Sequence, residues 1–66
     1  MKIRFHANET TEGWIAEAKI VNGRKKIFIF AEGDSFEELK RDIKRALRTY
    51  FGNRKIQVEL IVNLNK

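Results

Sequence analysis

Apolar and polar residues alternate at the start of the chain. From Lys2 to Asn8, the side chains of Ile3, Phe5 and Ala7 fall on one side and those of Lys2, Arg4, His6 and Asn8 on the other, the period of two that marks a half-buried strand. The stretch Asn8 to Gly13 is polar and closes on glycine, so it reads as a turn. A second strand is expected from about Trp14 to Val21 and a third from Arg24 to Ala31, with Asn22-Gly23 as the loop between them. Asn-Gly is the strongest short-range hairpin signal, because a two-residue type I′ turn requires positive φ at both central positions. Counting outward from that loop sets Val21 against Arg24, Ala18 against Ile27, Ala16 against Ile29 and Trp14 against Ala31. One face then gathers Trp14, Ala16, Ala18, Ile20, Ile27, Ile29 and Ala31, with small alanines where a bulky element must sit.

That element is a helix. Ser35-Phe36-Glu37-Glu38 has the form of a capping box, in which the Ser35 hydroxyl accepts from the Glu38 amide and the Glu38 carboxylate reaches back to the Ser35 amide. Phe36, Leu39, Ile43, Ala46, Leu47 and Tyr50 recur at helical spacing, and Gly52 is placed to end the helix in the left-handed conformation, giving a helix of roughly 16 residues. Acids in its first turn and bases further on complement the helix dipole. A last strand is expected from about Arg54 to Leu64, with Ile56, Val58, Leu60, Val62 and Leu64 pointing inward. The predicted fold is α+β: a two-layer βββαβ arrangement, with a four-stranded mixed sheet in the order 3-2-1-4 and one helix packed on one face. A right-handed crossover through the helix lays the last strand parallel to the first.

Composition narrows what such a domain does. The chain has 66 residues, read as a single domain over 1–66, and below about 70–80 residues one core rarely supplies more than a few kcal/mol. It has no Cys, so disulfides are excluded, and with His6 as the one histidine a structural zinc site of Cys and His is excluded too. Self-association is the remaining reinforcement, and a homodimer is expected. The longest apolar run, Ile27 to Ala31, is far below the roughly 18 residues that span a bilayer, so no membrane partner and a cytoplasmic location are expected. The net charge of +5 raises nucleic acid or another polyanion as a partner.

Two segments carry a family resemblance. Glu12-Gly13-Trp14-Ile15-Ala16-Glu17-Ala18, followed by Phe30-Ala31-Glu32-Gly33-Asp34-Ser35-Phe36-Glu37-Glu38-Leu39 running into Ile43, Ala46 and Leu47, resembles the HicB-like antitoxin domain. Members of that family typically open the second strand with a glycine and an aromatic residue, and the single helix with Gly-Asp-Thr/Ser, a hydrophobic residue and two glutamates. The likeness extends through Arg48-Thr49-Tyr50-Phe51 into the last strand and rests on the order and spacing of the motifs together. It implies a partial ribonuclease H-like fold without catalysis, which in complete systems binds and masks a HicA-like ribonuclease toxin. The sequence departs from the pattern at Asn22-Gly23, where many members carry a longer loop with Pro and Gly, and Pro is absent throughout. Full-length members often append a helix-turn-helix or ribbon-helix-helix domain. Here the chain is read as a stand-alone version lacking it, and operator binding is not carried over.

Catalytic chemistry is not expected. Two-metal ribonuclease chemistry needs several converging carboxylates, whereas the strand acids expected to face away from the helix are Glu17 and Glu59, read instead as partners of Lys19, Lys26 or Arg4. His6 has Asn8 as its neighbouring orienter and reads as a solvated strand residue. Gly23, Gly33 and Gly52 fall at turns and a helix end, outside any phosphate-cradling loop. No catalytic residue, metal ligand or cofactor is assigned.

Two features remain. The sheet face opposite the helix should carry Arg4, His6, Ile15, Glu17, Lys19, Phe28, Phe30, Gln57, Glu59 and Ile61, leaving the large apolar residues Ile15, Phe28, Phe30 and Ile61 to be covered by a second copy, by a toxin or by RNA. Phe28 and Phe30, flanked by Arg4, Lys19 and Lys26, also resemble in kind the platforms on which single-stranded bases stack. The second feature is the run of bases Lys40, Arg41, Lys44, Arg45, Arg48, Arg54 and Lys55, with Asp42 the one acid among them. This band either tracks phosphates, as in a small nucleic-acid-binding regulator, or forms an outward helix face in which Arg41 and Arg45 pair with Glu37, Glu38 or Asp42.

Overall fold

The structure, a computed structural model, describes residues 2–63. Five elements follow one another: β1 (Lys2–Thr10), β2 (Gly13–Asn22), β3 (Lys25–Gly33), α1 (Phe36–Phe51) and β4 (Gln57–Asn63). The strands form one sheet in the order β3-β2-β1-β4, antiparallel at β1–β2 and β2–β3 and parallel at β1–β4. This is the α+β, βββαβ architecture read from the sequence. Leu64, expected in the inward row of the last strand, lies outside the described residues.

The two hairpins correct the sequence reading. The polar stretch after Ala7 stays in the ladder as far as Thr10, which pairs with Gly13. The Thr10 hydroxyl accepts from the Glu12 amide at 3.2 Å and donates to the Gly13 carbonyl at 3.1 Å, closing a tight loop at Thr11-Glu12. In the second hairpin Asn22 pairs with Lys25, so the loop is Gly23-Arg24 and not Asn22-Gly23. Gly23 alone takes a positive φ, 65°, at the first loop position, as a type II′ turn requires. Ala16 therefore pairs with Ala31 and Ala18 with Ile29. The register has slipped by two residues, and because side chains alternate with that same period each one keeps the face expected of it.

Helix α1 begins and ends on glycine- and cap-dependent geometry. The Ser35 hydroxyl accepts from the Glu38 amide at 3.2 Å, as a capping box predicts, but the returning Glu38 carboxylate accepts from the Asp34 amide at 3.0 Å instead of that of Ser35. Gly52 has φ 67° with ψ −133°, which is the mirror-β region and not the left-handed helical well. Gly33 has another role than a turn. A Cβ there would stand 2.4 Å from the Leu39 nitrogen, so only glycine lets the first turn of α1 approach the end of β3 this closely.

The core lies between α1 and the sheet. Ile3, Phe5 and Ala7 of β1, Ala16 and Ala18 of β2, and Ile29 and Ala31 of β3 are buried against Leu39, Ile43 and Leu47, which are spaced one turn apart along the helix. Trp14 and Phe36 close one end edge to face, with ring centroids 5.0 Å apart. The Asp42 carboxylate accepts from the Glu32 amide at 2.9 Å, tying the flank of the helix to β3. Cover is uneven, however. No Cα of α1 comes within 8 Å of one in β1 or β4. Strands spaced about 4.8 Å apart make a four-stranded sheet wider than a helix about 10–12 Å across. Val58 and Val62, expected inward, face the helix side but remain 42% and 37% exposed.

Candidate functional site

On the face away from α1 the apolar residues follow the β2–β3 hairpin. Ile15, Phe28 and Phe30 are 48%, 52% and 68% exposed. Across the ladder Phe28 faces Lys19, Phe30 faces Glu17, and Ile15 faces Glu32, so each aromatic ring meets a charged residue directly and apolar neighbours on the diagonal, within reach of a large side chain. Val21, missed in the sequence reading, belongs to this row. It sits opposite Lys26, diagonal to Phe28, and is exposed. Its signal was legible, since it alternates with Ile15, Glu17 and Lys19.

Ile61 is not part of this cluster. The pairing runs Phe30 to Glu17, Glu17 to His6 and His6 to Ile61, which puts Ile61 about 14 Å from β3 at ordinary strand spacing, beyond two polar side chains. It is half-buried at the β4 edge. Beside Ile61, across β1 and β4, lies an ion-paired corner. Glu59 meets Lys2 Nζ at 2.9 Å and Arg4 Nε at 2.8 Å. The Lys2 hydrogen bond first, and then the Arg4 charge, hold its carboxyl below the usual value near 4.5. The expected Arg4 partnership is thus formed by Glu59, while no ion-pair partner lies within 4 Å of Glu17 among the described residues.

The seven bases of the helix band are all exposed, and the ion pairing expected for Arg41 and Arg45 is not made. The carboxylates that would neutralise them are engaged elsewhere: Glu37 with Lys40 at 3.4 Å, Glu38 with the Asp34 amide and Asp42 with the Glu32 amide. Among the described residues no carboxylate comes within 4 Å of Arg41, Lys44, Arg45, Arg48, Arg54 or Lys55. The band also divides. Lys44 and Arg48 turn toward β4, where they border an opening of about 330 Å³ with Leu47, Arg54, Ile56 and Val58. A second opening, of about 200 Å³, continues along Lys40, Ile43, Lys44, Val58 and Leu60.

Among the described residues no group of three or more His, Asp and Glu side chains is placed to hold a metal ion, and no helix is long and apolar enough to cross a membrane. Comparisons with protein families, curated proteins and solved structures returned no match.

Proposed function

We propose that this chain is a non-catalytic interaction domain that self-associates through the open face of its sheet. The observation that carries the reading is the side-by-side exposure of Ile15, Phe28 and Phe30 on a face that none of the described elements covers. Together these side chains offer on the order of 300 Å² of apolar surface, in the range that marks functional patches on small proteins. The surrounding Glu17, Lys19 and His6 supply the polar rim that interfaces carry. Sedimentation velocity of the intact chain should report a dimer, and Phe28→Ser with Phe30→Ser should report a monomer of unchanged helical content. A wild-type chain that stays monomeric at about 100 μM, a concentration that populates even weak dimers, refutes the reading.

The HicB-like resemblance extends it to a role: neutralising a HicA-like ribonuclease toxin by direct binding. Co-expression with a toxin encoded beside this chain should restore growth. Continued arrest in the presence of folded protein would remove the role while leaving self-association intact.

A second reading is favoured by the unneutralised helix band. The bases make a nucleic-acid-binding regulator whose affinity falls steeply with salt and is lost when Arg41, Lys44 and Arg48 become Gln. Flat titrations against single-stranded RNA and duplex DNA at about 50 mM salt, where phosphate contacts are strongest, eliminate it.

A further inference from the structure

The row of cations facing β4 has something the outward row lacks, an aliphatic floor. Lys44 and Val58 border both openings between α1 and β4, which together make one groove. Ile43, Ile56 and Leu60 lie along it, Val58 is 42% exposed, and Lys40 and Arg48 stand on its helix side. β4 is also an edge strand, with β1 on one side and no neighbour on the other among the described residues, so its outer amides and carbonyls are open to a further strand.

We infer that this groove binds an acidic amphipathic segment of a partner protein, in extended form along β4. Carboxylates of such a segment meet Lys44 and Arg48, its aliphatic side chains cover Val58 and Leu60, and its main chain pairs with the β4 edge, the mode of strand addition. Two other occupants fit less well. A second copy joined through β4 would set the Lys44 and Arg48 rows of two chains, each with a net charge of +5, against one another, a like-charge contact that opposes association. Nucleic acid would satisfy the cations and leave the floor unused, because its lining is aliphatic and has no aromatic ring on which a base could stack. The inference is independent of self-association through Ile15, Phe28 and Phe30, which lie on the other face of the sheet.

The test uses the intact chain and three probes: a labelled eight-residue peptide alternating glutamate with valine and leucine, an eight-residue polyglutamate, and a single-stranded oligonucleotide of the same length. The alternating peptide should bind saturably, at least about tenfold tighter than polyglutamate or the oligonucleotide, the gain that burying only about 55 Å² of aliphatic surface supplies. Binding should perturb the amide resonances of Val58 and Leu60. Lys44→Glu with Arg48→Glu should abolish it, and Val58→Thr, a change at a partly exposed site that leaves the fold intact, should weaken it severalfold. Equal binding of all three probes, or resonance changes that avoid β4, would overturn the proposal, as would no saturable binding of the alternating peptide at about 1 mM, the weak limit for a specific complex.

Discussion

The two faces of the β2–β3 hairpin are built from the same strands and end differently. On one face Ala16 and Ile29 are 2% and 1% exposed; one residue along each strand, Ile15 and Phe30 are 48% and 68% exposed. Polarity is part of the difference: from Trp14 to Ile20 and from Ile27 to Ala31 the helix side is apolar throughout, whereas the open side sets Glu17, Lys19, Lys26 and Glu32 among its large apolar residues. Size separates the faces as well. The helix side carries alanine at three central positions, Ala16, Ala18 and Ala31, which leaves room for Leu39, Ile43 and Leu47 to descend onto the sheet. The open side carries phenylalanine, and none of the described elements meets it. A face of small residues admits an internal partner, whereas the exposed large ones opposite are what the proposed self-association would cover.

The largest expected effect sharpens that contrast. Phe5→Ala, at a fully buried position, should cost about 3–5 kcal/mol, enough to unfold a domain of this size. Phe30→Ala, measured in urea at a concentration where the chain is monomeric, should stay within about 0.5 kcal/mol of wild type. Similar losses at both positions would mean that the open face is part of the core. Next comes the seat of the helix. Gly33→Ala puts a methyl group into the Leu39 backbone and should cost about 1–3 kcal/mol by urea unfolding, while leaving the open face chemically untouched.

Much of this plan was legible in the sequence. Alternation in β1 and β2, the alanine pattern, and the Ser35 and Glu38 spacing determine strand order, helix bounds and the identity of both faces. The details that were not legible depend on longer-range choices. Asn22-Gly23 and Gly23-Arg24 are both acceptable loops, and they differ by a slip that leaves each side chain on the same face, so hydrophobic pattern cannot separate them. The unpaired state of Arg41 and Arg45 was hidden for another reason. Asp42 sits at ion-pairing distance along the sequence, yet its carboxylate is taken by the Glu32 amide on a strand folded against the helix. Partial exposure of Val58 and Val62 follows from where the helix axis lies over the sheet, which local spacing does not encode.

Smaller effects probe the borders of the two faces. Ser35→Ala removes the cap at the start of α1 and should cost about 1 kcal/mol in thermal or urea unfolding. On the open face, the Glu59 carboxyl should titrate below its usual value near 4.5, followed through its side-chain carbon resonance. Because its proton affinity is lower in the folded chain than in the unfolded one, its stabilising contribution is complete above that usual value and is lost as pH falls through the folded value. Lys2→Gln with Arg4→Gln should return the midpoint to the ordinary range, and a midpoint already ordinary in the wild type would mean that the pair at 2.8–2.9 Å does not persist in solution.

The claim that the open face is an interface is tested most directly by nuclear Overhauser effects filtered to pass only contacts between a labelled and an unlabelled copy of the chain. Cross-copy contacts should connect the rings of Phe28 and Phe30 with each other and with the methyl groups of Ile15 and Val21. Contacts confined to Val58 and Val62, or none at a concentration where the mass is that of a dimer, would contradict it.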